Sequence, residues 1–503
     1  MKRPIVWTIA GSDPGGGAGI QADLKTMNAL GAHGCSVISA LTAQNTVGVS
    51  GVEYPPPQFL QAQLDALAND LPPVAIKLGM LGQAESIPII RQTIQHLNTY
   101  VVCDPVMVST SSHSLLEKNA LSRLQSDLFP HVDLLTPNLY EAETLTRRSI
   151  RSSHDIEKAA RDLLAMGVRT VLIKGGHTPD HMSRDYWSDG RNHAWLSSPR
   201  QDSRHTHGTG CTLSAAIAAC IGLGFEALDA IVIAKAYVNQ GIRSAPKIGS
   251  GNGPMAHLGW PEAHADLPWL TDTPNAGETL TAFPDCGEKP LGFYPIVDCL
   301  EWLEQLLPLG VSTIQLRIKD LEGEALEREI AQAAAYARQF NCRLFINDYW
   351  QLAIQYNAYG VHLGQEDLKT ADIRAIRQAG LRLGVSTHCY HEVARALSVK
   401  PSYIAIGPVF STTTKAMRFT PQGLEALRRW RKSLPYPLVA IAGIFLDNAP
   451  QVLETGVDGI AVVRDIMNAG NLPERVARWQ ALFAEKEQKS DKPSPPLVEP
   501  AFA

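Results

Sequence analysis

The sequence predicts two α/β domains in series, a mostly parallel sheet covered by helices and then an eight-stranded (β/α)8 barrel. Three observations lead there. The chain has 503 residues, enough for two or more domains. In its first half, short apolar runs alternate with helical patterns, as in a sheet with helical crossovers. In its second half, eight strand–helix units follow one another within about 200 residues, the pattern of a compact TIM barrel. Composition agrees: 45% hydrophobic and 19% charged is ordinary for a soluble α/β protein.

In chain order, residues 4–10 read as a strand. They enter the loop Gly11-Ser12-Asp13-Pro14-Gly15-Gly16-Gly17-Ala18-Gly19 and a helix at 20–30. The loop is neither a Walker A sequence nor a G-x-G-x-x-G fingerprint. Strands follow at 34–39, 74–79, 100–104, 132–135 and 170–174, with helices at 57–70, 85–97 and 156–166. Ligands of such sheets bind beyond the strand carboxyl ends. Four motifs lie there: Gly79-Met80-Leu81-Gly82, Asp104-Pro105-Val106-Met107, Thr136-Pro137-Asn138 with Glu141, and Lys174-Gly175-Gly176-His177. The segment 204–212, R-H-T-H-G-T-G-C-T, then runs into a small-residue helix. Gly208 and Gly210 permit close backbone approach, and a helix start offers free N–H groups to an anion, most plausibly phosphate. Cys211 sits where that field would favour a thiolate. An ordinary Gly-rich helix start is the alternative.

Residues 263–289 are poor in apolar periodicity and read as an interdomain linker, with room for local packing against a domain. Barrel strands are expected near 293–298, 313–317, 343–347, 360–363, 382–386, 403–408, 438–443 and 459–463. Their carboxyl ends carry Gln315, Arg317, Lys319, Asn347, Asp348, Gln365, Asp367, Ser386, His388, residues 412–415, Gly443 and Arg464. Cations, acids and hydroxyls converging on one rim suit a phosphorylated ligand with Mg²⁺. Residues 487–503, charged and then Pro-rich, read as a disordered tail.

The net charge of −5 gives no reason to expect nucleic acid or an anionic membrane as partner. No segment approaches the ~20 apolar residues of a membrane span. The eight cysteines are scattered without a C-x-x-C pair, as reduced thiols of a cytoplasmic protein would be. Small-molecule substrates are expected, and a homo-oligomer is allowed.

The strings G-S-D-x-x-G-G-A-G-I-Q-A-D-L-K-T, T-A-Q-N-T, K-x-G-M-L, D-P-V-M, T-P-N, K-G-G-H and H-G-T-G-C-T together resemble hydroxymethylpyrimidine/phosphomethylpyrimidine kinase, of the ribokinase-like superfamily. The resemblance runs from Pro4 to about Trp260. It implies an α/β sandwich and ATP-dependent phosphorylation of 4-amino-5-hydroxymethyl-2-methylpyrimidine and then of its monophosphate. Gln44 would meet the pyrimidine edge, Asp23 its amine or nearby backbone, and Met80 and Val106 its faces. A solvated Asp23 and a core Met80 are the bland readings. Gly208, Gly210 and Cys211 would be the catalytic segment, with Cys211 taking the hydroxyl proton or accepting a hydrogen bond that orients it. Asp104, Asn138 and Glu141 would organise Mg²⁺–nucleotide, and Lys174 would meet phosphate or cap its strand. Departures occur at Ser112, where a glycine is usual, and at 249–257.

The strings Q-L-R-I-K-D, F-I-N-D-Y-W, G-V-H-L-G-Q-E-D, L-G-V-S-T-H and T-T-T-K resemble thiamine-phosphate synthase, from about Gly292 to Ile466. That family joins hydroxymethylpyrimidine diphosphate to 4-methyl-5-(2-phosphoethyl)thiazole and releases pyrophosphate. The resemblance implies that Gln315, Leu316, Arg317, Ile318, Lys319, Asn347, Ser386 and Lys415 hold the pyrimidine diphosphate. It gives Mg²⁺ to Asp348 and Asp367, and the thiazole phosphate to Thr412, Thr413, Thr414, Gly443, Val463 and Arg464. Arg464 stands where Ser is common, and either its guanidinium or the backbone N–H groups of its turn would bind. The expected organisation is a kinase domain at 1–262 and a synthase domain at 290–486. A pyridoxal-type kinase fused to the synthase, or one half reduced to a ligand-binding module, is the alternative.

Overall fold

The computed structural model describes residues 3–107, 118–176, 180–277, 280–412 and 419–490. The chain splits into two compact units, 1–279 and 280–503.

The first unit is organised on a ten-stranded sheet. Its strands are β1 (Ile5–Ser12), β2 (His33–Gln44), β3 (Val49–Glu53), β4 (Ala75–Leu78), β5 (Tyr100–Cys103), β6 (Leu134–Leu135), β7 (Thr170–Ile173), β8 (Met182–Ser188), β9 (His193–Pro199) and β10 (Trp269–Thr271). Their spatial order is β10-β9-β8-β7-β6-β5-β4-β1-β2-β3. The six from β7 to β2 are parallel, and antiparallel strands extend both edges. Central strands are buried on both faces, so they read as apolar runs, broken in β4 by the buried Lys77. The helix Thr209–Gly222 is apolar nearly all round and buried from Thr212 to Cys220.

The second unit is a closed barrel of eight parallel strands. They are β11 (Gly292–Val297), β12 (Thr313–Leu316), β13 (Arg343–Asn347), β14 (Gly360–Leu363), β15 (Arg382–Thr387), β16 (Tyr403–Ile406), β17 (Leu438–Ile441) and β18 (Gly459–Val462). One close approach shapes the interior. A Cβ on Gly384 would lie 2.1 Å from the Tyr403 ring, so only glycine lets that ring fill the barrel.

The stretch 263–289 is ordered at both ends. Its first part supplies β10, paired with β9. Its last part lies on the barrel: Phe283 N–H donates to the Lys400 carbonyl at 3.0 Å, and Arg343 donates to the Lys289 carbonyl at 2.9 Å. No helix of the described residues is long and apolar enough to cross a membrane.

Candidate functional sites in the two units

In the first unit the site is assembled where the parallel strands end and the helix Thr209–Gly222 begins. Gly208 caps that helix at φ 80°, and a Cβ there would lie 1.8 Å from the Gly17 carbonyl oxygen. Glycine is therefore required for the helix start to press onto the loop after β1. A Cβ on Gly210 would lie 3.3 Å from Lys174 Nζ and 3.4 Å from an Asp104 carboxylate oxygen. Lys174, just past β7, donates to Asp104, just past β5, at 2.7 Å. Helix start, cation and acid thus converge on one spot.

Cys211, the third residue of the helix, is half-buried. Burial raises its thiol to about 11, with Asp23 and Asp104 also raising it; Lys77 and the Gly19 backbone act the other way and do not prevail. This corrects the expected thiolate: desolvation outweighs the helix field, and the resting group is a thiol. Asp23, which might have been a solvated helix residue, is fully buried. Its Oδ2 accepts from Thr8 Oγ1 at 2.6 Å and from Lys77 Nζ at 2.7 Å, while its Oδ1 is buried without a partner. Burial alone would lower Lys77, but the Asp23 carboxylate, with Cys211 and Asp104 nearby, holds it well above its ordinary value.

Met80 and Val106 come together in a small apolar cluster with Ala40, Val52 and Tyr54. Gln44 ends β2 beside His207, with Nε2 to Nε2 at 3.1 Å, and His207 Nε2 lies 3.1 Å from Asp13 Oδ2. Asp13 also accepts from the N–H groups of Gly15, Gly17 and Ala18. Burial would raise its carboxyl, but His207 and those amides hold it below the ordinary value. Asn138 and Glu141 form a capping box: Glu141 N–H donates to Asn138 Oδ1 at 2.9 Å, and Asn138 N–H to Glu141 Oε2 at 2.8 Å. Burial raises the Glu141 carboxyl to about 7, Lys174 opposing and Asp104 adding to it.

In the barrel, Gln315, Arg317, Asn347, Asp348, Gln365, Asp367, Ser386, Gly443 and Val463 all lie at or just past strand carboxyl ends. Leu316 and Ile318 are buried. Lys319 pairs with Asp348, which has φ 66°. Asp367 is raised by burial and by the adjacent Asp348 carboxylate, to which it is hydrogen-bonded. Arg464 opens a four-residue helix directly after Val463. Thr412 is half-buried in the loop after β16, whereas Thr413, Thr414 and Lys415 lie outside the described residues, as do Ser112 and His177.

The barrel interior also holds a polar chain. Gln315 Nε2 donates to Tyr294 OH at 3.4 Å, the Tyr294 and Tyr403 hydroxyls are 2.8 Å apart, Tyr403 OH is 2.7 Å from His362 Nδ1, and His362 Nε2 is 2.8 Å from Ser386 Oγ. Burial lowers His362 to about 4, Asp348 opposing and Arg317 adding to it.

Residues 13–256 match the family model of phosphomethylpyrimidine kinase, and residues 293–466 that of thiamine monophosphate synthase. Over 481 residues the chain is 36% identical to a chloroplastic thiamine biosynthetic bifunctional enzyme of Arabidopsis thaliana, covering 92% of this chain and 90% of that protein. The chain belongs to the bifunctional thiamine-biosynthesis enzymes. Its first unit is a hydroxymethylpyrimidine/phosphomethylpyrimidine kinase and its second a thiamine-phosphate synthase. The synthase part is 56% identical over 203 residues to the thiamine-phosphate synthase of Photorhabdus laumondii, covering 40% of this chain and 94% of that one. A solved phosphomethylpyrimidine kinase of Clostridium difficile aligns with 47% of this chain and 98% of its own at 38% identity, with a TM-score of 0.43.

Sequence reasoning assigned no role to Asp13, Lys77 or His207 in the kinase, nor to Tyr294, His362 or Tyr403 in the synthase. Asp13, Lys77 and His207 all stand in the quoted motifs and were within reach. His362 also stands in a quoted string, G-V-H-L-G-Q-E-D, whereas Tyr294 and Tyr403 sit inside apolar runs and carry no local signal.

Proposed function

We propose that the kinase holds the transferring phosphoryl group at the N–H groups of 208–211, with Lys174 as its counter-charge. The convergence of Gly210, Lys174 and Asp104 is the observation that carries this. Phosphoryl transfer demands mostly positioning and charge neutralisation, and backbone donors with a lysine supply both. Met80 and Val106 offer apolar faces for a flat pyrimidine, and Gln44, braced by His207, offers an edge. ATP is the phosphoryl donor. Asp104 is the acid placed to meet its Mg²⁺. Asn138 Oδ1 and Glu141 Oε2 are taken by the capping box, which suits bracing better than ligation. Cys211 orients the substrate hydroxyl as a hydrogen-bond partner, a role open to a thiol.

In the synthase, Asp348 and Asp367 fit a divalent cation. Two carboxylates close enough to share a hydrogen bond need a proton or a cation between them, and hard Mg²⁺ prefers such oxygens. When bound, the ion would stabilise charge on the departing pyrophosphate. Arg317, Lys319 and Lys415 add positive charge for the same group. Gln315, Asn347 and Ser386 orient the pyrimidine. The turns at Gly443 and at Val463–Arg464 hold the thiazole phosphate through main-chain N–H groups, with Thr412, Thr413 and Thr414 as further contacts. Eight free cysteines suit a reducing, cytoplasmic setting.

Lys174→Met tests the kinase assignment. It should cut phosphorylation of hydroxymethylpyrimidine by about 10²-fold or more, because a charge stabiliser of the transition state is lost. Synthase activity in the same protein should be unchanged. Near-normal phosphorylation would refute the role given to Lys174.

A further inference from the structure

The buried chain Gln315–Tyr294–Tyr403–His362–Ser386 has a direction, and the direction reaches the synthase site. A Gln Nε2 can only donate, so Tyr294 OH receives from Gln315. Tyr294 has one proton left to give, and the hydroxyl facing it is Tyr403 at 2.8 Å. Tyr403, having accepted, gives its own proton to His362 Nδ1 at 2.7 Å. That nitrogen must then be an acceptor, so His362 is neutral and carries its hydrogen on Nε2. An imidazolium, or the opposite tautomer, would reverse the order, so that Tyr294 accepts from both Gln315 and Tyr403 and its own hydrogen is left buried without an acceptor, an arrangement disfavoured in a buried site. His362 Nε2–H therefore donates to Ser386 Oγ at 2.8 Å. Tyr294, Tyr403, His362 and Gln315 are all buried, so water does not reset the order.

We propose that this chain fixes Ser386 as a hydrogen-bond donor toward an acceptor atom of the bound pyrimidine diphosphate, with His362 as a positioning residue acting through Ser386. The serine oxygen is occupied by His362, and its own hydrogen points to the one direction left, the half-buried rim at the end of β15. The proposal rests on Ser386 being a contact of the pyrimidine diphosphate. It adds which way the hydroxyl faces and what sets it. A site so arranged selects ligands with an acceptor at that place and rejects those presenting a donor.

The first test is the tautomer. Nitrogen-15 NMR of the full chain, with the His362 signals identified by their loss in His362→Gln, should show a protonated Nε2 and a bare Nδ1. A protonated Nδ1 overturns the proposal. The second test is kinetic. Ser386→Ala should raise the KM for pyrimidine diphosphate several-fold, with the KM for thiazole phosphate unchanged. His362→Leu should do the same, whereas His362→Gln, whose amide can donate from near the Nε2 position, should recover most of the loss. In a Ser386→Ala background, His362→Leu should have no further effect. If Ser386→Ala leaves the KM unchanged, the assignment of Ser386 itself fails. If Ser386→Ala has its effect but the His362→Leu loss simply multiplies with it, the contact stands and the relay is wrong. An unchanged KM for thiazole phosphate, read on the same preparations, shows that the barrel of each variant is intact.

Discussion

At the scale of single residues, Cys211 changes character between sequence and structure. A helix start argued for a thiolate, yet burial beside Asp23 and Asp104 raises the thiol to about 11. A hydrogen-bonding thiol and an obligate base lose different amounts on substitution. Cys211→Ser keeps a hydroxyl that can hydrogen-bond and should retain a measurable fraction of phosphorylation. Cys211→Ala should lose ~10²-fold or more, the lower range for a general base or its equivalent. Equal, near-complete loss in both variants would restore the thiolate. Asp348 and Asp367 make a second residue-scale prediction. Asp348→Asn and Asp367→Asn should each raise the Mg²⁺ concentration needed for half-maximal thiamine phosphate formation, while phosphorylation by the kinase keeps its metal requirement. An unchanged titration in both variants would dismiss the metal assignment.

At the scale of elements, the parallel strands were legible because apolar runs at regular spacing leave few other solutions. The hairpin β8–β9 was not. Its strands bury Asp185, Ser197 and Ser198, which gives no clean alternation of polar and apolar residues. Asp185 and Ser198 are satisfied by Lys235 and Asn239 of the helix Ala227–Arg243, at 2.7 and 3.0 Å. A hydropathy pattern cannot see a buried polar face whose partners lie 40 or more residues away. The barrel relay escaped notice for a related reason, since Tyr and His within a strand read as core. Charged rim residues were visible because Asp, Lys and Arg at strand ends have no place in a core. One loop between elements also carries a pH signature. His257 lies beside Thr26, with Nδ1 to Oγ1 at 3.2 Å, and burial, aided by Lys25, lowers it from 6.5 to about 4. The unfolded chain therefore takes up that proton first. Stability from the neutral imidazole is fully present above pH 6.5 and is lost as pH falls toward 4, by up to ~3 kcal/mol. Thermal melts of the kinase unit between pH 4 and 7 should be flatter for His257→Gln than for the unaltered protein. Parallel curves would remove His257 as the source.

At the scale of the whole molecule, the joint is the informative feature. The chain divides between residues 279 and 280, and each side keeps its own core. Residues 280–291 belong to the barrel by contact. Lys400 donates to the Leu280 carbonyl at 2.6 Å, Arg377 lies over the Phe283 ring at 4.3 Å, and Cys286 and Leu291 are part of the barrel core. Cutting at 279/280 should therefore yield two folded pieces, one phosphorylating hydroxymethylpyrimidine and one forming thiamine phosphate. Cutting at 289/290 should leave the kinase unaffected and lower the melting temperature of the synthase piece. A synthase that melts identically after either cut would show that residues 280–289 contribute nothing to it.

The same segment has a consequence for the order of events on the ribosome. The kinase sheet gains its last strand when residues 269–271 emerge, so that unit can close while the barrel is still being made. Residues 280–291 emerge next, but their partners follow much later: Arg343 is 57 residues beyond Cys286, Arg382 is 97 beyond Asp285, and Lys400 is 120 beyond Leu280. Cys286 must wait at least until Arg343 is made, and Phe283 until residues 377–400 follow. A nascent chain arrested in that window would offer an exposed aromatic ring and thiol to whatever chaperone is bound at the exit tunnel.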